Sequence, residues 1–106
     1  MDKFSVVQST KSLNDIDSIF FYISEVLENI NSAISIFYKI KARIDSLELF
    51  PERFQCINDV PKRLEGMRAT YVGKYAIYYR VNKEKLIVNI DRVIYSGTDI
   101  SQIAID

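Results

Sequence analysis

A chain of 106 residues with zero formal net charge suits one domain, expected over residues 1–106, and carries no overall charge that would draw it to a polyanion. The lone Cys56 excludes an internal disulfide and a cysteine zinc site and fits a reducing cytoplasm. The absence of histidine excludes Ser–His, Cys–His and His–metal chemistry, so neither metal nor cofactor is expected.

Residues 3–9 alternate, with Phe4, Val6 and Gln8 against Ser5, Val7 and Ser9, as a short strand does. Ser12 is placed to cap a helix, with Asp15 and Asp17 favourable to its dipole. Leu13, Ile16, Ile19 or Phe20, Ile23, Leu27 and Ile30 then form one apolar stripe at helical spacing. The longest apolar run, Ile19 to Ile23, is too short to cross a bilayer, and no membrane partner is expected. Asn29-Ile30-Asn31-Ser32 interrupts the stripe, and Asn31 or Ser32 can cap a second helix. Ala33, Phe37, Ile40, Ile44 and Leu47 carry the buried face of that helix, and Pro51 ends it. A break this short predicts an antiparallel helical hairpin.

Residues 50–65 show no period and are punctuated by Pro51, Asn58-Asp59 and Pro61. They read as a connecting loop, with Phe50, Phe54 and Ile57 tucked onto the core and Cys56 as a structural thiol. Three strands follow, over 67–72, 74–81 and 86–95, the last two joined by a turn at Asn82-Lys83-Glu84-Lys85. In the second, Tyr75, Ile77, Tyr79 and Val81 share a face. In the third, Leu86, Val88 and Ile90 look like core, and Asn89, Asp91, Val93 and Tyr95 make the more polar face. Asp99 to Ile105 forms a short tail with room for one helical turn.

The resulting order, β-α-α-β-β-β, predicts an α+β fold: an N-terminal strand, an antiparallel helical hairpin and a three-stranded antiparallel C-terminal sheet. One hairpin covers one face of a sheet, so the other face, with Arg68 and Tyr95 on it, is expected to stay open for binding. Charge is unevenly spread. Residues 12–30 hold four acids and no base, whereas residues 62–92 hold eight bases against three acids. The basic half fits a surface for nucleic acid or acidic peptide, or simply solvated strand ends and turns.

The stretch FFYISEVLENINSAISIFYKIKARIDSLELFPERF, residues 20–54, resembles the helical hairpin of the RelE/ParE toxins. MRATYVGKYAIYYRVNKEKLIVNIDRVIYSGTD, residues 67–99, resembles their C-terminal sheet. The likeness runs over residues 3–99 in the same order. It implies a cytoplasmic growth-inhibiting toxin of a type II toxin–antitoxin module, held by a cognate antitoxin in a hetero-oligomer. The antitoxin's C-terminal segment usually wraps the toxin and covers its concave sheet face. RelE-like members cut messenger RNA in the ribosomal A site; ParE-like members inhibit DNA gyrase without established hydrolytic chemistry.

RNA cleavage by 2′-OH attack needs a base, charge stabilisation at phosphate and a proton for the leaving oxygen. Without histidine, arginine, lysine and tyrosine are the candidates. Arg68 stands where RelE-like toxins place a phosphate-binding arginine, and Tyr95 ends a strand; these two are the candidate catalytic residues. Arg68 is equally compatible with an ion pair on the strand surface. Lys74, Tyr79, Arg80 and Arg92 are candidate contacts to nucleic acid or another target, with architectural ion pairs as the alternative for the two arginines. Relatives often continue "RVIY" into "Y-G-R-R-D", whereas this chain reads Tyr95-Ser96-Gly97-Thr98-Asp99, lacking both arginines. With a neutral chain, this favours ParE-like action on gyrase or another protein. A ribosome-dependent mRNA endonuclease and an attenuated, antitoxin-binding member are the alternatives, so whether the chain is an enzyme stays open.

Overall fold

The computed structural model describes residues 2–105. A short strand, β1 (Ser5–Gln8), leads into helix α1 (Thr10–Phe21). The cap of α1 is Ser9, not Ser12: its hydroxyl accepts from the Ser12 amide at 3.0 Å and donates to the Asp91 carbonyl at 2.9 Å. Ser12 is buried one turn further in. The expected stripe breaks at Tyr22–Val26, where the helix widens into a π turn. Leu27 donates to the Tyr22 carbonyl and Asn29 to that of Ile23, both at 3.0 Å. The extra residue rotates the last turn outward, so Leu27 and Ile30 are exposed rather than core. Glu28, at φ 52°, reverses the chain. Asn29 then caps α2 (Ile30–Ser46), earlier than the expected Asn31 or Ser32, through its side-chain oxygen and the Ser32 amide at 3.0 Å.

Strands β2 (Arg68–Val72), β3 (Tyr75–Asn82) and β4 (Ile87–Tyr95) form an antiparallel meander. β1 adds parallel to β4, giving the order β1-β4-β3-β2. The first core layer joins Ile19, Ile23, Ala33, Ile40, Ile44 and Leu47 of the helical hairpin to Val72, Ile77, Tyr79, Val88, Ile90 and Val93 of the sheet. Strict alternation puts Val93 on the polar face instead. The register steps from Tyr78↔Arg92 to Tyr79↔Ile90, leaving Asp91 as the extra residue of a bulge that inverts the alternation beyond it.

The far face of the sheet is not open throughout. Leu64, Met67, Ala69, Ala76 and Tyr78 form a second buried cluster, closed by Ile57, Val60, Ile94, Ile100 and Ile105. The aperiodic 57–66 loop and the C-terminal tail thus act as a covering layer, because their scattered aliphatic residues bury themselves without regular structure. Arg68 and Tyr95 are also not on that face. Arg68 pairs with Tyr79 and Tyr95 with Tyr75, and both partners pack toward the helices, so the pleat sends Arg68 and Tyr95 to the helix side. The end near Val7, Asn89 and Arg80, neighbours in the register, remains uncovered, as does Tyr71 opposite Ala76. Phe50 also departs from expectation: it is exposed at φ 49°, while the following Pro51 is buried in its place. Cys56 is exposed and makes a single bridge to Arg68. No helix among the described residues is long and apolar enough to cross a membrane.

Candidate functional site

The chain has six arginines, and internal acceptors engage each one. Arg68 donates to the Phe54 carbonyl at 2.7 Å and the Glu52 carbonyl at 3.1 Å, and meets the Glu52 carboxylate at 3.4 Å. Its side chain is only 19% exposed. It therefore clamps the 51–54 turn against β2. Arg53 closes the same turn on the Ser46 hydroxyl and the Leu49 carbonyl, with its guanidinium 4.7 Å above the Phe54 ring. Arg43 ties α2 to β2 through Thr70 and the Tyr71 carbonyl. Arg63 holds the C-terminal tail through the carbonyls of Ser101 and Ile103.

Arg80 and Arg92 make bidentate pairs, the geometry of the strongest ionic hydrogen bonds. Arg80 grips the buried Asp91 of the bulge with two contacts of 2.8 Å. Its hydrogen bond to Asp91 raises the guanidinium pKa above its ordinary value, against the opposing effect of burial. Arg92 grips Asp15 of α1 at 2.7 and 2.8 Å and also donates to the Ala104 carbonyl at 3.0 Å. Asp15 further accepts from the Val93 amide at 2.9 Å, which satisfies the stretch of β4 beyond the reach of β1.

Tyr79, a candidate target contact by position, is instead fully buried. Its phenol donates to the Pro51 carbonyl at 2.6 Å. Burial pushes its pKa up to about 12, although Arg68 and Arg53 pull it down. The register explains this: Tyr79 faces Arg68 beneath the 51–54 turn.

Lys74 and Tyr95 do come together. They line a crevice of about 710 Å³ between the C-terminal half of α1 with its π turn and the adjoining ends of β3 and β4. Ile19, Val93 and Ile94 supply apolar walls; Tyr22, Tyr75 and Tyr95 bring three phenols; Leu27, Ser18 and Thr98 complete the lining beside Asp15 and Lys74. Tyr75 has its pKa raised by burial and then by Tyr22. Tyr95 is 56% exposed, and its ring lies over Gly97, where any Cβ would strike it. The turn beneath is set by the Ser96 amide donating to the Lys74 carbonyl at 2.8 Å.

Sequence reasoning missed Tyr22, Tyr75 and Leu27 as crevice residues. The outward turn of Leu27 depends on the π turn, and the Tyr75↔Tyr95 pairing on the β4 bulge; neither has a periodic signature. Elsewhere on the hairpin, Phe21 is 62% and Tyr38 64% exposed. Among the described residues no group of three or more His, Cys, Asp or Glu side chains is disposed to hold a metal ion. The crevice offers hydroxyl donors and one ammonium around apolar walls. That is binding chemistry, with complementary donors surrounding a site for apolar groups.

A family model described as the ParE toxin of the type II toxin–antitoxin system parDE matches residues 6–100. No curated protein matches the sequence. Among solved structures, one similar chain comes from the chromosomal ParDE toxin–antitoxin system of P. aeruginosa, with TM-score 0.69 and 18% identity over 88% of this chain and 96% of that one. The RelBE2 toxin–antitoxin complex of Mycobacterium tuberculosis gives TM-score 0.58 and 18% identity, covering 88% and 98%. A mutant of the E. coli toxin RelE in the free state gives TM-score 0.58 and 14% identity, covering 92% and 86%. At these identities the structures speak for the fold.

Proposed function

The chain belongs to the ParE toxin family of type II toxin–antitoxin systems, and on that premise we propose that it arrests growth by binding a protein, with DNA gyrase the favoured target, rather than by cutting RNA. The supporting observation is the commitment of all six arginines to the fold. In-line attack on a phosphodiester needs a cation aimed at the non-bridging oxygens as charge develops there. Arg68, the best such candidate, is held by two carbonyls and a carboxylate. Arg80 and Arg92 are each closed on a carboxylate in bidentate geometry. Both pairs are part-buried, Arg92–Asp15 more so than Arg80–Asp91, and opening either leaves a desolvated carboxylate without its partner, which gives neither arginine reason to turn toward RNA. Zero net charge also gives the chain no overall attraction toward a polyanionic ribosome. The partner that restrains the toxin in the cell is a cognate antitoxin, and both act in the cytoplasm.

Expression of the chain without its antitoxin tests this. The expected outcome is growth arrest with a DNA-damage response and intact messages. Messages cut at ribosome-bound codons would overturn it in favour of the endonuclease. Unimpaired growth would overturn it in favour of an attenuated, antitoxin-binding member.

A further inference from the structure

We propose that the outer groove of the helical hairpin is a self-association surface: two copies of this chain pack face to face through it, with α1 of each lying on α2 of the other. The inference stands apart from the toxin's target and from the crevice beside Tyr95.

The apolar stripe of each helix is wider than the core uses. On α1, Leu13, Asp17 and Phe20 follow at +4 and +3; on α2, Ile34, Phe37 and Lys41 follow at +3 and +4. Each set is one face of its helix. The sheet takes a different face, with Ile19, Ile23, Ala33, Ile40 and Ile44. Asp17, Phe20, Ile34, Phe37 and Tyr38 line a groove of about 410 Å³ between the two helices. Its floor is aromatic: Phe20 meets Phe37 edge to face with centroids 6.3 Å apart, and Phe37 meets Tyr38 at 5.4 Å. Leu13, Ile34 and Tyr38 are exposed. A single exposed apolar side chain is ordinary, whereas several around one groove with charges at its rim mark an interface.

Charge decides what sits there. From Thr10 to Val26 the chain carries Asp15, Asp17 and Glu25 against Lys11, while α2 carries Lys39, Lys41 and Arg43 against Asp45. One helix of the face is acidic and its neighbour basic. A wholly acidic or wholly basic partner would be repelled by one of them; a second copy is complementary to both. A two-fold axis lying in the face can run across the hairpin or along it. The first sets α1 on α1, acid against acid. The second sets α1 on α2 of the other copy, acid against base, with the two helices antiparallel and their dipoles opposed. Register supports the second. Phe20 and Phe37 stand level, so Asp17, three residues before Phe20, stands level with Lys41, four residues after Phe37. A two-fold along the hairpin keeps that level and brings Asp17 of one copy to Lys41 of the other. Asp17 is exposed and in no ion pair among the described residues. Lys41 meets Asp45 at 3.6 Å, both exposed, a contact worth little and readily exchanged.

Sedimentation velocity on the purified full chain, without antitoxin and over roughly 1–100 µM, tests this in the range where a modest interface assembles. The expected result is a mass that doubles with concentration. Asp17→Lys sets base on base and Lys41→Glu acid on acid, so each is expected to raise the dimer dissociation constant by at least about tenfold. The two together are expected to restore it. Tyr38→Asp is expected to leave only monomer. All three positions are exposed, and circular dichroism verifies that the variants fold. A monomer at every concentration, or a dimer indifferent to Tyr38→Asp, would overturn the proposal. Single charge reversals that weaken the dimer without rescue in the double variant would overturn the pairing of α1 with α2. A chain that stays monomeric alone, yet binds the product of the neighbouring reading frame and loses that binding in Tyr38→Asp, would give the groove to the antitoxin instead.

Discussion

At the residue scale, the arginines and tyrosines that look like chemistry in the sequence divide into those that hold the fold and those that line a crevice. The division follows from partners far away in the chain. Arg92 finds Asp15 across 77 residues, and Tyr79 finds the Pro51 carbonyl across 28; neither acceptor has a local signature. Only the residue type and the strand it stands on were legible. Tyr79 supplies a direct check. Removing its hydroxyl in Tyr79→Phe leaves the buried Pro51 carbonyl without its donor, an expected loss of about 1–3 kcal/mol measurable by denaturant unfolding. The pH dependence has a definite sign. The folded pKa of about 12 lies above the ordinary 10.0, so the native state keeps the proton where the unfolded chain releases it. The stabilisation is full below pH 10 and is lost as pH rises toward 12. The Tyr79→Phe variant should lack that part of the alkaline decline; an unchanged decline would contradict the burial of this phenol.

At the scale of elements, the helices and strands were legible because their apolar periods are strong, and their ends were less so. Caps moved from Ser12 to Ser9 and from Asn31 or Ser32 to Asn29, because each position offers a competent side chain and tertiary contacts choose among them. The π turn in the hairpin and the bulge at Asp91 each add one residue and reverse the facing of the residues beyond them, so Leu27 became exposed and Val93 became core. The covering layer of the second face was the largest omission. The 57–66 loop and the tail bury Ile57, Val60, Ile100 and Ile105 through isolated contacts, which no periodic pattern announces. Truncation after Asp99 removes two of those aliphatic residues and the carbonyls that Arg63 and Arg92 hold. The truncated chain is expected to keep its far-ultraviolet spectrum, lose several degrees of melting temperature and bind a hydrophobic dye. Unchanged stability and no dye binding would show that the tail does not cover the sheet.

For the whole molecule, composition and element order were enough to indicate the α+β toxin fold, which the family match over residues 6–100 and the structural neighbours support. Composition and order could not say which face works, because the sheet is covered from both sides and its remaining surface differs from the one alternation suggests. Part of the charge asymmetry along the chain is taken up in ion pairs: Asp15 of the acidic segment pairs with Arg92 of the basic one, and Glu52 receives both Arg68 and Lys83. On the proposed reading, a protein whose arginines are committed in this way presents apolar and phenolic surface to another protein. Incubating the purified toxin in parallel with DNA gyrase and plasmid, and with messenger-programmed ribosomes, tests this most directly. Loss of supercoiling with every message left whole is the predicted result; a message severed in the A-site codon with supercoiling untouched would contradict it.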